Sequence, residues 1–117
     1  MRKVSKPWGY ELIFAENERY AGKILHLNPG HSLSLQYHER KDETLYVLSG
    51  EVHLLVDEEG RLIDRVLTAG DSYRILPHVR HRMSATAPTD LVEVSSPELD
   101  DVVRLEDAYG RAGTTAP

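Results

Sequence analysis

Ser32-Leu33-Ser34-Leu35-Gln36-Tyr37-His38 alternates polar and apolar residues with a period of two, the pattern of a β-strand with unlike faces. The turn residues Asn28-Pro29-Gly30 stand in front of it. Working outward, short strand-like runs follow over residues 44–49, 52–56, 62–67, 73–76, 82–86 and 91–95, with Val103-Arg104-Leu105 near the end. Ser49-Gly50, Asp57-Glu58-Glu59-Gly60, Ala69-Gly70-Asp71 and Pro77 punctuate them as turns. No window of helical length carries an apolar stripe, and the best helix candidate is short, over residues 106–109. This rhythm predicts an all-β fold, a small two-sheet barrel.

The chain has 117 residues, enough for a single domain. With 40% hydrophobic residues it can build a core. Fourteen basic against 19 acidic residues give a net charge of −5, which argues against nucleic acid as a partner. No apolar run is long enough to span a membrane. The start, Met1-Arg2-Lys3-Val4-Ser5-Lys6-Pro7, has no apolar stretch behind it, so no secretory signal is read and a cytoplasmic protein is expected. The absence of cysteine removes disulfides, thiol catalysis and thiolate-bound zinc.

In one strand over 32–38, Ser32, Ser34, Gln36 and His38 share a side, and Leu33, Leu35 and Tyr37 share the other. If the polar side lines a cavity, something must cover the apolar side. An arm formed by residues 1–20, around Trp8 and Tyr10, could do so, as could a second subunit; a homodimer is expected. Trp8 and Tyr10 are read as packing residues rather than ligand contacts. Residues 110–117 read as a flexible tail. Asp57 to Glu59 and Asp100-Asp101 read as solvated turns.

Gln36 and His38 fall on one face of that strand, about 7 Å apart. Glu43 follows a charged turn, where it can point back at His38, and His81 opens a later strand. Two imidazoles, a carboxylate and an amide oxygen suit zinc, manganese, cobalt, nickel or iron. Spacing alone leaves the alternative open that these are ordinary polar residues near a loop.

The stretch from Gly30 to His38, with Glu43 and Gly50, resembles the first motif of the cupin superfamily. Gly70-Asp71-Ser72-Tyr73-Arg74-Ile75-Leu76-Pro77 through His81 resembles the second. Lys6-Pro7-Trp8-Gly9, Ser34-Leu35-Gln36-Tyr37-His38, Val92-Glu93-Val94, Asp100 to Asp107 and Tyr109-Gly110-Arg111 are similar to the cupin domain of type II mannose-6-phosphate isomerase/mannose-1-phosphate guanylyltransferase proteins. The resemblance implies a jelly-roll barrel, the double-stranded β-helix, holding one divalent metal ion on Gln36, His38, Glu43 and His81. It implies a metal-dependent isomerase interconverting mannose 6-phosphate and fructose 6-phosphate. Arg104, Lys23 and Arg111 are then the candidate anchors for the sugar phosphate. Candidates for the general base are Lys23, His53, His78 and Glu11. With no Gly-rich phosphate loop, nucleotidyl transfer is not expected.

Two departures bear on the substrate: His78 stands where the family has Gly after proline, and Glu39-Arg40-Lys41 replaces a histidine-rich stretch. A non-catalytic sugar- or metabolite-binding cupin and a metal-dependent cupin oxygenase are the alternatives, because one fold carries many chemistries.

Overall fold

The computed structural model describes residues 1–110 and 112. The strands are β1 (Arg2–Lys6), β2 (Gly9–Glu16), β3 (Ala21–Leu27), β4 (His31–Ser32), β5 (Leu35–Tyr37) and β6 (Glu43–Ser49). They continue as β7 (Glu51–Glu58), β8 (Arg61–Thr68), β9 (Ser72–Ile75), β10 (His81–Ala85), β11 (Thr89–Ser95) and β12 (Val103–Glu106). All pairings are antiparallel. One sheet runs β1-β2-β3-β11-β6-β9; the other runs β12-β5-β10-β7-β8, with β4 also on β10. This is the all-β two-sheet barrel that the turn rhythm predicts, in the jelly-roll form that the resemblance implies. Among the described residues, no helix is long and apolar enough to cross a membrane.

Alternation places the core. On β6, Leu45 and Val47 turn inward; on β7, Val52, Leu54 and Val56 do so; Leu25 and Leu27 of β3, Met83 of β10 and Leu91 of β11 meet them. Trp8 joins this core, in keeping with its reading as a packing residue. Truncating one such Leu to Ala leaves a void that costs about 3 kcal/mol. Tight turns close the hairpins. Gly50 has φ +83°, and a Cβ there would lie 2.6 Å from the Pro88 carbonyl oxygen. Glu59 and Gly60 both have positive φ, the signature of a two-residue type I′ turn between β7 and β8.

Two expectations need correction. The run 32–38 is not one strand. It breaks at Leu33-Ser34, where the Leu33 N–H donates to the Met83 carbonyl at 2.8 Å. The break shifts the alternation, so Leu33 enters the core while Gln36 and His38 still reach the interior. Leu35 is buried within the single chain, so this face gives no reason for a second subunit. Residues 106–109 are not helical: Glu106 ends β12 and a turn follows. Residues 1–20 form the β1–β2 hairpin, added edge-on to β3. Most of the tail 110–117 lies outside the described residues.

Candidate metal centre

Three strand ends converge inside the barrel. His38 follows β5, Glu43 opens β6 and His81 opens β10. Each is almost fully buried. One ligand atom from each lies within 4.8 Å of the other two. The His38 Nε2 is 3.0 Å and the His81 Nε2 3.3 Å from Glu43 Oε1. The His38 Nδ1 donates to the Asp101 carbonyl at 2.5 Å and the His81 Nδ1 to the Val79 carbonyl at 2.9 Å. A proton on each Nδ1 leaves each Nε2 with a lone pair facing a carboxylate.

Lone pairs facing one another in a buried place repel unless something positive lies between them. His81 Nε2 has no hydrogen-bond partner, and a buried polar atom left so is costly; Glu43 Oε2 has the Lys41 ammonium at 3.4 Å. Two imidazole nitrogens and a carboxylate fit a borderline divalent cation. Burial pushes the Glu43 carboxyl up, but the charge of Lys41 leads the neighbours that outweigh it and hold the group well below the usual carboxylate range. Glu43 is thus a carboxylate, ready for a cation.

Gln36 stands directly opposite His81 on one side and Arg104 on the other. The Ser34 hydroxyl donates to its Oε1 at 2.6 Å. Gln36 and His38 line a cavity with Lys6, Trp8, Glu11, Lys23, Lys41, Glu93 and Arg104. Its far wall is set by register. Ile13, Lys23, Glu93 and Leu45 form one inward row across β2, β3, β11 and β6. Lys23 Nζ reaches Glu11 Oε1 at 3.3 Å, and Lys41 Nζ reaches Glu93 at 3.0 Å and Glu43 at 3.4 Å. Burial works against the Lys41 charge, yet Glu93 and Glu43 raise its pKa above that of a free lysine. Burial and the neighbouring Glu43 push the Glu93 carboxyl up, against Lys41 and Lys23.

The structure therefore brings together Gln36, His38, Glu43, His81, Lys23, Glu11 and Arg104. It leaves two candidates outside. His53 sits on the outer face of β7, because Val52 and Leu54 turn inward, and it pairs with Glu51 at 2.9 Å. His78 is exposed, beside Glu39 and the Tyr37 ring. Its φ of +68° is the left-handed conformation that glycine adopts freely, which accounts for the family's Gly there. Arg111 lies outside the described residues. Lys41 and Glu93 were not foreseen. Glu93 carried a signal, a charge in phase with inward Leu91; Lys41 carried none, since its charged turn reads as solvated. Asp101 is no solvated turn either: its carboxylate accepts three backbone N–H groups. Burial pushes that carboxyl up, but the three bonds hold it below the usual range.

The cupin domain family profile matches residues 23–95. This chain belongs to the cupin family. This cupin is 37% identical over 115 residues to the xanthan biosynthesis protein XanB of Xanthomonas campestris pv. campestris, covering 94% of this chain and 24% of that protein. It is 37% identical over 116 residues to the mannose-1-phosphate guanylyltransferase ManC of Salmonella typhimurium, covering 94% and 23%. The chain spans about a quarter of the length of these curated relatives. Among solved structures, KdgF from Halomonas sp. superposes with a TM-score of 0.72 at 23% identity, covering 83% of this chain and 88% of that one. That likeness shows the fold.

Proposed function

We propose that this cupin is a metal-dependent aldose–ketose isomerase of sugar phosphates, interconverting mannose 6-phosphate and fructose 6-phosphate in the cytoplasm as a homodimer. One divalent cation per chain (zinc, manganese, cobalt, nickel or iron) would be held by His38, Glu43 and His81, with Gln36 as the fourth ligand. The observation that carries this reading is the buried meeting of three lone pairs beside a cavity rich in cations. A cation bound there supplies Lewis-acid polarisation of the sugar carbonyl.

The chain's own residues supply the rest. The whole protein carries −5, yet Lys6, Lys23, Lys41 and Arg104 outnumber Glu11 and Glu93 on the cavity wall. The cavity therefore draws an anion against the protein's overall charge. Arg104 and Lys23 would hold the phosphate. Isomerisation lifts a proton from C2; the bonding pair left there closes a double bond to C1 while the carbonyl π pair moves onto O1, and the proton then returns to C1 as the O2 hydroxyl passes its proton to O1 and becomes the new carbonyl. Glu11, kept in place by Lys23 at 3.3 Å, is the carboxylate assigned to that transfer. The relative named mannose-1-phosphate guanylyltransferase acts on a mannose phosphate, which supports mannose as the sugar.

The second copy would sit on the outer face of the first sheet. Leu12, Ile24, Val92 and Tyr46 align in one row across four strands. Phe14, Leu48 and Val94 flank them, about half exposed. Six strands ~4.8 Å apart, four to eight residues long, present roughly 500 Å² in plan. Side-chain relief brings this to the order of the 800 Å² per partner that stable dimers bury.

The test is conversion of mannose 6-phosphate by purified protein supplied with each of the five metals in turn. Turnover that a chelator abolishes supports the reading. Metal binding without turnover of any aldose phosphate or free aldose would overturn it in favour of a binding module.

A further inference from the structure

The Asp101 carboxylate accepts three consecutive backbone N–H groups: Oδ1 from Glu39 at 3.0 Å, and Oδ2 from Arg40 at 2.7 Å and Lys41 at 2.9 Å. The carbonyl of the same residue accepts the His38 Nδ1–H at 2.5 Å. One residue thus grips four consecutive ones that precede it by about sixty positions. That stretch carries His38 at one end and the cavity's Lys41 at the other, and Glu43 follows two residues on. From another direction, the His78 N–H donates to the His38 carbonyl at 2.7 Å.

We infer that Asp101 is a positioning residue for the metal centre, its carboxylate fixing the turn over residues 39–41 so that its own carbonyl orients the His38 ring. The inference rests on the metal-centre reading given above. Its logic is geometric. An imidazole can rotate about its side-chain bonds, and a hydrogen bond from Nδ1 favours the orientation that aims Nε2 at Glu43 and His81. The accepting carbonyl lies in the loop before β12, and the three bonds made by the same residue's carboxylate tie that loop to the stretch bearing His38. Charge-assisted bonds of this kind are the strong ones. A carboxylate also suits the place because it offers acceptors only, whereas an amide would turn an N–H₂ toward one of the three N–H groups.

The test is a Co²⁺ titration of the full chain, following the visible absorption band of the bound ion, with thermal melting of the metal-free protein in parallel. Wild type, Asp101→Ala, Asp101→Asn and His81→Ala are compared. Wild type should take up one Co²⁺ per chain and His81→Ala should lose binding. Asp101→Ala should bind ~10–100-fold more weakly, with a changed band, and Asp101→Asn should fall between it and wild type. Wild-type affinity and spectrum in the Asp101 variants, with only a lowered melting temperature, would show a structural clamp and overturn the inference. If Asp101→Ala does not fold, Asp101→Asn carries the same comparison, because it keeps an acceptor oxygen. No uptake by wild type would overturn the metal-centre reading and this inference with it.

Discussion

Lys23 and Glu93 stand directly opposite one another on β3 and β11, Nζ and Oε2 3.9 Å apart, on the face turned into the barrel. Glu11 completes the group at 3.3 Å from the same Nζ. A lysine at an inward strand position is tolerated only with such partners, since an unpaired buried charge is expensive. Lys23→Met should leave two buried carboxylates without it and cost about 3–5 kcal/mol. Adding Glu11→Gln to that variant should recover part of the loss. Urea denaturation of the two variants checks this; equal losses would show that the two side chains are not coupled.

A second charged group sets the pH response of the opposite sheet. Hydrogen bonds from Arg65 and then Tyr73 outweigh desolvation and hold the Glu58 carboxyl at about 2, against 4.5 for a free glutamate. A depressed carboxyl contributes stability above its unfolded value, and that contribution fades as pH falls from 4.5 toward 2. Burial and the bond to Glu58 push the Tyr73 hydroxyl up to about 12, so its share is full below 10 and is lost as pH rises toward 12. Glu58→Gln should therefore flatten the melting temperature profile at both ends, which thermal melts from pH 2 to 12 will show.

His78 holds φ +68°, a conformation that side chains disfavour and glycine adopts freely. His78→Gly should relieve that conformation and stabilise the protein by ~0.5–1 kcal/mol, less the entropy glycine gains when unfolded. Its exposed side chain predicts unchanged turnover. Thermal melts and a mannose 6-phosphate assay check the pair of outcomes.

Tyr46 lies in the apolar row of the outer face and is half exposed in the single chain. Tyr46→Arg should convert the proposed dimer to monomer by placing like charges across its interface, as light scattering behind size exclusion will report. An unchanged dimer would place its interface elsewhere.

The barrel was legible because turn residues mark almost every strand boundary after Asn28, and the strand cores alternate. The three donors His38, Glu43 and His81 were legible too, through a motif resemblance rather than through spacing. Local alternation could not show the break at Leu33-Ser34, which is made by a bond to Met83 far along the chain. Nor could it show that Lys41 is buried: a lysine in a charged turn looks solvated until Glu93, from β11, arrives to pair with it. Asp101 was hidden for the same reason, its partners lying some sixty residues earlier. His53 misled because its outward position follows from which neighbours fill the core, not from its residue type.

The most direct test is elemental analysis of the purified protein beside His81→Ala. The account predicts close to one equivalent of a divalent transition metal per wild-type chain, and a folded variant with almost none. A His81→Ala protein that keeps its full metal content would contradict the convergence of His38, Glu43 and His81 on one cation.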